Sequence, residues 1–202
     1  VPRVLSPIDV SAFRQRLCQT AERRFAEHGP ESVTMRQLAA DLGCSPMTPY
    51  RYFKDKDEIL GAVRAAAFDR FADALEGAFQ EGRDLDPAAR SRAVGQAYVR
   101  FALAEPHAYR LMFDLTQPGE ETYPDLKRAA ARARATMIEH LKGMVDADRL
   151  QADGPLLGHV YWAGIHGVLM LHLAGKLGPD VKAMPLIEAM MQTLHRGAPH
   201  RN

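Results

Sequence analysis

The chain has 202 residues, 47% of them hydrophobic and 25% charged, with a net charge of +1. That is an ordinary globular composition, long enough for one or two domains with real cores. Two cysteines exclude a disulfide scaffold, and the near-zero charge gives no general basic excess that would by itself point to nucleic acid.

The opening VPRVLSPIDV lacks a charged start followed by an apolar run, so a signal peptide is not expected. Residues 1–8 and 197–202 read as disordered ends. Cys18 and Cys44 read as small buried residues in a reducing cytoplasm, with no disulfide. β-branched residues are few and apolar residues recur at helical spacing, so the expected fold is all-α, with about nine helices.

The first helix is expected over about 9–28, with Phe13, Leu17, Ala21 and Phe25 spaced by four. Residues 33–60, VTMRQLAADLGCSPMTPYRYFKDKDEIL, then carry the most informative pattern. Thr34 suits an N-cap, and Met35, Leu38, Ala39 and Leu42 form one apolar face. Gly43 suits the left-handed residue that ends a helix. Ser45 can cap the next helix with Pro46 in its first position. Tyr50, Tyr52 and Phe53 close that helix. Asp55 can cap the following one, with Glu58 completing a capping box. Short helix, tight turn and short helix make a helix-turn-helix, the form of a DNA reader. Spacing alone equally allows a helical hairpin inside any all-α protein. Pro49 stands fourth in a helix capped by Ser45, where it removes the first i→i−4 bond; alternatively the helix starts at Thr48 with Pro49 in its first position. Charge adds nothing, since residues 1–60 hold nine Lys or Arg against eight Asp or Glu.

Further helices are expected over about 56–81 (Ile59, Val63, Ala67, Phe71, Ala74, Ala78), 88–104 and 106–115, the last broken by Gln117-Pro118-Gly119. Another covers about 122–146, with Leu126, Ala130, Ala133, Met137, Leu141 and Met144. Gly154-Pro155 opens a helix running to about 176, and the last spans about 184–196. Residues 156–175 are apolar almost all round and long enough for a membrane span. They read instead as a buried helix, because three histidines interrupt them and neither an aromatic belt nor a basic flank is present.

The ordered set Phe25, Gly29, Thr34, Arg36, Leu38, Ala39, Leu42-Gly43-Cys44-Ser45, Thr48, Tyr50, Phe53, Lys56 and Ile59-Leu60 resembles the N-terminal domain of the TetR/AcrR family of transcriptional regulators. Trp162, His166 and Gly167, with Glu105–Phe113, resemble the family's subgroup with a Trp-His-Gly C-terminal domain. The resemblance implies a DNA-binding domain over 1–55 and a helical ligand-binding and dimerisation domain over 56–202. It implies that Ser45, Pro46, Met47 and Thr48 face the major groove, with Thr34 and Arg36 at the groove edge. Tyr50, Tyr52 and Lys56 would contact phosphates. Arg36 and Arg51 are the side chains suited to reading guanine.

The implied function is a ligand-responsive regulator, most simply a repressor, acting on double-stranded DNA at a palindromic operator. A homodimer through the eighth and ninth predicted helices would present two heads to successive major grooves, about 34 Å apart. Met190, Met191 and Leu194 would give the ninth helix its apolar interface stripe. A small apolar effector would bind among Tyr98, Phe101, Tyr109, Met112, Phe113, Met137, Trp162 and His166, and would shift the fourth and sixth helices. These side chains can equally be plain core. No cofactor or metal is expected; His159 and His166 share a helix face, but no third ligand is evident. No catalytic motif is present, so an enzyme is not expected. The competing class is a helical small-molecule-binding protein or enzyme that does not act on DNA.

Overall fold

A computed structural model of the chain describes residues 7–114, 116, 119–146 and 154–197. Of the ends expected to be disordered, 1–8 and 197–202, residues 1–6 and 198–202 lie outside the described residues, as do Gln117 and Pro118 of the expected helix break and the side chains of Leu141 and Met144, whereas Pro7 and Ile8 begin a helix and Gly197 ends one. The described residues are all-helical: α1 (Pro7–His28), α2 (Met35–Asp41), α3 (Lys56–Glu81), α4 (Pro87–Ala104), α5 (Pro106–Met112), α6 (Pro124–Asp146), α7 (Gly154–Leu173) and α8 (Ala183–Gly197). The helix expected over 46–53 is the one that differs. It is a turn at 46–48 followed by a 3-10 turn, Pro49–Arg51. Two compact units emerge, residues 1–68 with 111–130 and residues 69–110 with 131–202.

The first unit is built from helices too short to persist alone, since isolated helices under about 12–15 residues are marginal in water. Its core gathers Leu17, Ala21 and Phe25 of α1, Val33, Met35 and Leu38 around α2, Phe53, and Ile59, Leu60 and Val63 of α3. Local rules set the ends of α2. The Thr34 hydroxyl accepts from the Gln37 N–H at 3.3 Å, and the Gln37 side chain accepts from the Thr34 N–H at 2.8 Å, closing a capping box. At the other end Gly43 has φ +64°, with Gly43 N–H donating to Ala40 and Cys44 N–H to Ala39, both at 3.0 Å. That pair of bonds is a Schellman cap. Arg24 of α1 then clasps Asp41 of α2 in a bidentate pair, both bonds at 2.6 Å. Asp55 caps α3 by accepting from the Glu58 N–H at 2.9 Å, while the Glu58 carboxylate accepts from the Lys54 N–H at 2.5 Å.

Pro49 explains the missing recognition helix. With no N–H it cannot bond the Ser45 carbonyl; the Thr48 N–H takes that carbonyl instead, at 2.9 Å. Helical bonding therefore starts with Thr48 as cap and Pro49 in first position, the alternative start that the sequence left open.

In the second unit Asp86 caps α4, accepting from the Ala88 and Ala89 N–H groups at 3.0 and 3.2 Å. Arg132 of α6 donates to Glu76 at 2.9 Å and Asp73 at 2.6 Å, two carboxylates on one face of α3. α7 packs on α8 and α4, burying Tyr161, Ile165 and Leu169 at i, i+4 and i+8. Leu156–Leu173 is long and apolar enough to cross a membrane by length and composition alone. Its other side leaves Leu156, Val160 and Leu171 exposed.

Thr34→Ala removes one half of the capping box and is expected to destabilise the chain by about 1 kcal/mol. Gly43→Ala, which forces a Cβ into a left-handed conformation, is expected to cost about 1 kcal/mol as well. Urea unfolding followed by far-UV circular dichroism measures both, and no change in midpoint for either would refute the cap assignments.

Candidate functional site

The turn and 3-10 segment after α2 present a row of solvent-facing side chains. Ser45, Pro46, Met47, Tyr50 and Arg51 are exposed, Met47 at 68% and Tyr50 at 48%. Met47 and Tyr50 thus add apolar surface to a short polar turn. The Ser45 and Thr48 hydroxyls bond each other at 2.9 Å. Thr34, Arg36 and Gln37 are exposed at the start of α2. Behind this face Pro49 and Phe53 are buried, and Tyr52 is half-buried with its ring stacked on Phe13, centroids 4.4 Å apart. Arg14 locks the same strip from below: its guanidinium donates to the Tyr52 carbonyl and lies 3.9 Å from the Phe53 ring centroid. Lys56 turns its ammonium to the Pro30 carbonyl at 2.7 Å and the Glu31 carbonyl at 3.4 Å.

The second unit contains a cavity of about 530 Å³, inside the range of roughly 300–1,000 Å³ usual for small-molecule pockets. Its apolar wall includes Leu75 of α3, Val94 and Val99 of α4, Met137 of α6, and Ile165 and Trp162 of α7. α8 closes another side with Ile187 and Met191. Gly95 of α4 also faces it, and a Cβ built there meets nothing within 4 Å. Beside the cavity runs a buried hydrogen-bonded chain: Tyr98 Oη to Tyr109 Oη at 2.8 Å, and Tyr109 Oη to His166 Nδ1 at 2.7 Å. Burial raises both phenol pKa values above the usual tyrosine range and lowers that of His166 below its ordinary 6.5. The chain is therefore uncharged at neutral pH.

Known proteins fit this geometry. Residues 17–63 match the family described as "Bacterial regulatory proteins, tetR family", and residues 91–194 match "Tetracyclin repressor-like, C-terminal domain". The chain belongs to the TetR family. HTH-type transcriptional regulator Rv1816 of Mycobacterium tuberculosis is 23% identical over 205 residues, covering 88% of each chain. Among solved structures, a protein with unknown function from Rhodococcus sp. RHA1 is 27% identical with a TM-score of 0.79, over 92% of this chain and 94% of that one. The fatty acid degradation regulator FadR from Bacillus halodurans shares the fold at 17% identity and a TM-score of 0.74, over 98% and 100%. As a TetR-family regulator the chain is a DNA-binding transcription factor rather than an enzyme, and its family binds operator DNA as dimers.

Within this TetR frame the residues singled out in the sequence divide. Thr34, Arg36, Ser45, Pro46, Met47, Tyr50 and Arg51 are all exposed, and Thr48 is half-buried. Tyr52 packs its ring on Phe13, and Lys56 spends two donors on carbonyls. Tyr98, Met137 and Trp162 line the cavity, with Tyr109 and His166 behind Tyr98. Phe101 is buried against Phe71 instead, ring centroids 5.1 Å apart. Met112 and Phe113 belong to the first unit, where Phe113 meets Phe68 edge-on at 5.7 Å. Met190 packs at Gly164 and Met191 turns to the cavity, so these parts of the expected interface stripe face inward. Sequence reasoning missed Ser91, Arg92, Gly95 and Gln96 of α4 and Glu188 and Gln192 of α8, all of which line the cavity. The spacing of four between 92 and 96, and between 188 and 192, was the available signal. Among the described residues no group of three His, Cys, Asp or Glu is placed to hold a metal.

His166 sets a pH dependence. Its native pKa lies below the unfolded value of 6.5, so the unfolded state takes up the proton first as pH falls. The stability contribution is complete above pH 6.5 and is lost as pH drops from there through the lowered native value. His166→Gln is expected to flatten the fall in Tm between about pH 7 and pH 5. Parallel Tm–pH curves for the variant and the parent would refute this.

Proposed function

We propose that this TetR-family regulator is a homodimeric repressor that leaves its operator when a small, largely apolar molecule occupies the cavity of the second unit. The observation that carries the reading is the cavity itself, whose volume and apolar wall suit such a molecule. In our reading residues 1–55 read DNA and residues 56–202 bind the effector and dimerise, with the C-terminal part of the Trp-His-Gly type on the strength of Trp162, His166 and Gly167. A chain that binds operator DNA works in the cytoplasm.

The dimer runs through α7 and α8, which correspond to the eighth and ninth predicted helices. α7 supports this by leaving Leu156, Val160, Ala163 and Leu171 exposed along one stripe, with small Ala163 at its centre. A second copy would cover that stripe and set the two heads about 34 Å apart on a palindromic site. α3 offers the coupling element. It is one unbroken helix, with Leu75 at the cavity and Ile59 and Leu60 in the core of the reading head. An effector shifts the balance only by its difference in affinity for the two arrangements of α3 and α5.

On DNA, Ser45, Pro46, Met47 and Thr48 face the major groove from the turn, Arg36 and Arg51 read guanine, and Thr34, Tyr50, Tyr52 and Lys56 serve the backbone. Arg36→Ala is expected to cost about 1–3 kcal/mol and to relax preference at one base pair. Tyr50→Ala is expected to weaken binding evenly across sequences. Fluorescence anisotropy with duplexes from the regulator's own upstream DNA, repeated at several salt concentrations, reads both. Lack of salt-sensitive binding to any palindrome would sink the operator reading; a lysine-to-methionine change at 56 that lowers Tm but leaves affinity intact would reassign Lys56 to structure alone.

A further inference from the structure

The cavity opens along one seam, and the chemistry of that seam defines the effector class. α4 and α8 each pack on α7, and the cavity lies between them. Two pairs of exposed polar side chains at helical spacing of four frame the opening: Arg92 and Gln96 on α4, Glu188 and Gln192 on α8. The two charges are opposite, so the frame carries no net charge. Further in, the wall turns apolar, and the polar atoms that remain are neutral. Tyr98 spends its hydroxyl on Tyr109, and burial raises the Tyr161 pKa, which keeps that phenol protonated.

Ser91 stands apart. It is 91% buried, lines the cavity, and its hydroxyl makes no hydrogen bond to a described residue. Helical hydroxyls usually return their proton to the carbonyl four residues back, as Thr136 does at 3.0 Å and Thr193 at 2.8 Å. That hydroxyl faces the cavity rather than being sealed in the core, so it can bond a molecule that enters. Gly95, one turn on from Ser91, points the same way. Glycine inside a helix is unfavourable relative to alanine, and no neighbour crowds this position. Its missing side chain leaves room in the cavity.

We propose that the effector is an uncharged amphipathic molecule that enters between α4 and α8, lays its apolar body along Gly95 and Trp162, and places a hydroxyl or carbonyl oxygen on the Ser91 hydroxyl. This rests on the reading of the cavity as an effector site. A carboxylate or an ammonium carried past the frame would be desolvated with no buried counter-charge to meet it, a cost of several kcal/mol per ion. A neutral oxygen needs one hydrogen bond, and Ser91 can act as either donor or acceptor.

The chain contains a single tryptophan, Trp162, and it lines the cavity, so selectively excited tryptophan fluorescence reports on this site. The full-length protein is titrated with 1-decanol, decanoate and decyltrimethylammonium, three probes with one chain length and three charges. The alcohol is expected to bind at least tenfold more tightly than either ion. Ser91→Ala is expected to weaken the alcohol about fivefold, the loss of one neutral hydrogen bond. Gly95→Leu, which fills the space beside it, is expected to abolish the response to all three. Tighter binding of either ion, or an alcohol affinity unmoved by Ser91→Ala, overturns the neutral-effector assignment while leaving the effector site standing. No response to any probe in the parent protein overturns both. Thermal unfolding of each variant confirms that a lost response comes from a folded protein.

Discussion

The reading head depends on burial, because none of its local structure could persist without it. α2 is seven residues long and the segment that follows it is a single 3-10 turn. Propensity and caps contribute about 1 kcal/mol apiece, far short of the entropy of fixing these residues. Stability comes from Leu38, Phe53, Ile59 and Leu60, each at most 2% exposed, interlocked with Leu17 and Phe25. Once those side chains are sequestered, the polar remainder has one place to go. Arg36, Ser45, Met47, Tyr50 and Arg51 are left exposed on the surface around that core. Arg14 and Lys56 then tie the loops down through backbone carbonyls, a use of cations that fixes geometry rather than charge.

What could be seen in the sequence follows the range of the interaction. The Thr34 box, the Gly43 cap and the Asp55 cap join residues three to five apart, and local chemistry specifies them. Helical spacing likewise found the buried faces of α3 and α6, including Ile59, Phe71, Leu126 and Ala133. Contacts between residues far apart were hidden. Nothing near Lys56 indicates that its ammonium seeks Pro30, 26 positions earlier. Met112 and Phe113 follow Tyr109 closely enough to suggest one cluster, yet the chain passes into the other unit at Leu111. Pro49 is an intermediate case. Its missing N–H was plain, but which of two helix starts it would impose was decided by whether Ser45 or Thr48 found a partner.

The second unit solves a different problem, that of keeping polar atoms inside an apolar bundle without charging them. Tyr98, Tyr109 and His166 do so by bonding one another across α4, α5 and α7. A chain of neutral donors and acceptors holds three helices in register and adds no charge to the adjoining space. The same α7 that supplies His166 to this chain carries Leu156, Val160 and Leu171 on its outer side. Its two sides therefore differ, one packed within the subunit and one left apolar and exposed.

Gly95 places the regulator under two opposed pressures. Any side chain but proline would raise helix propensity there, by up to about 1 kcal/mol for alanine, whose Cβ would meet nothing within 4 Å. Each added carbon would also take volume from the cavity. Selection for a sturdier protein and selection for a responsive one thus pull on one residue in opposite directions. Under the proposed effector reading, drift at position 95 would trade sensitivity for stability in small steps, and a change of effector size would be met there without rebuilding the bundle.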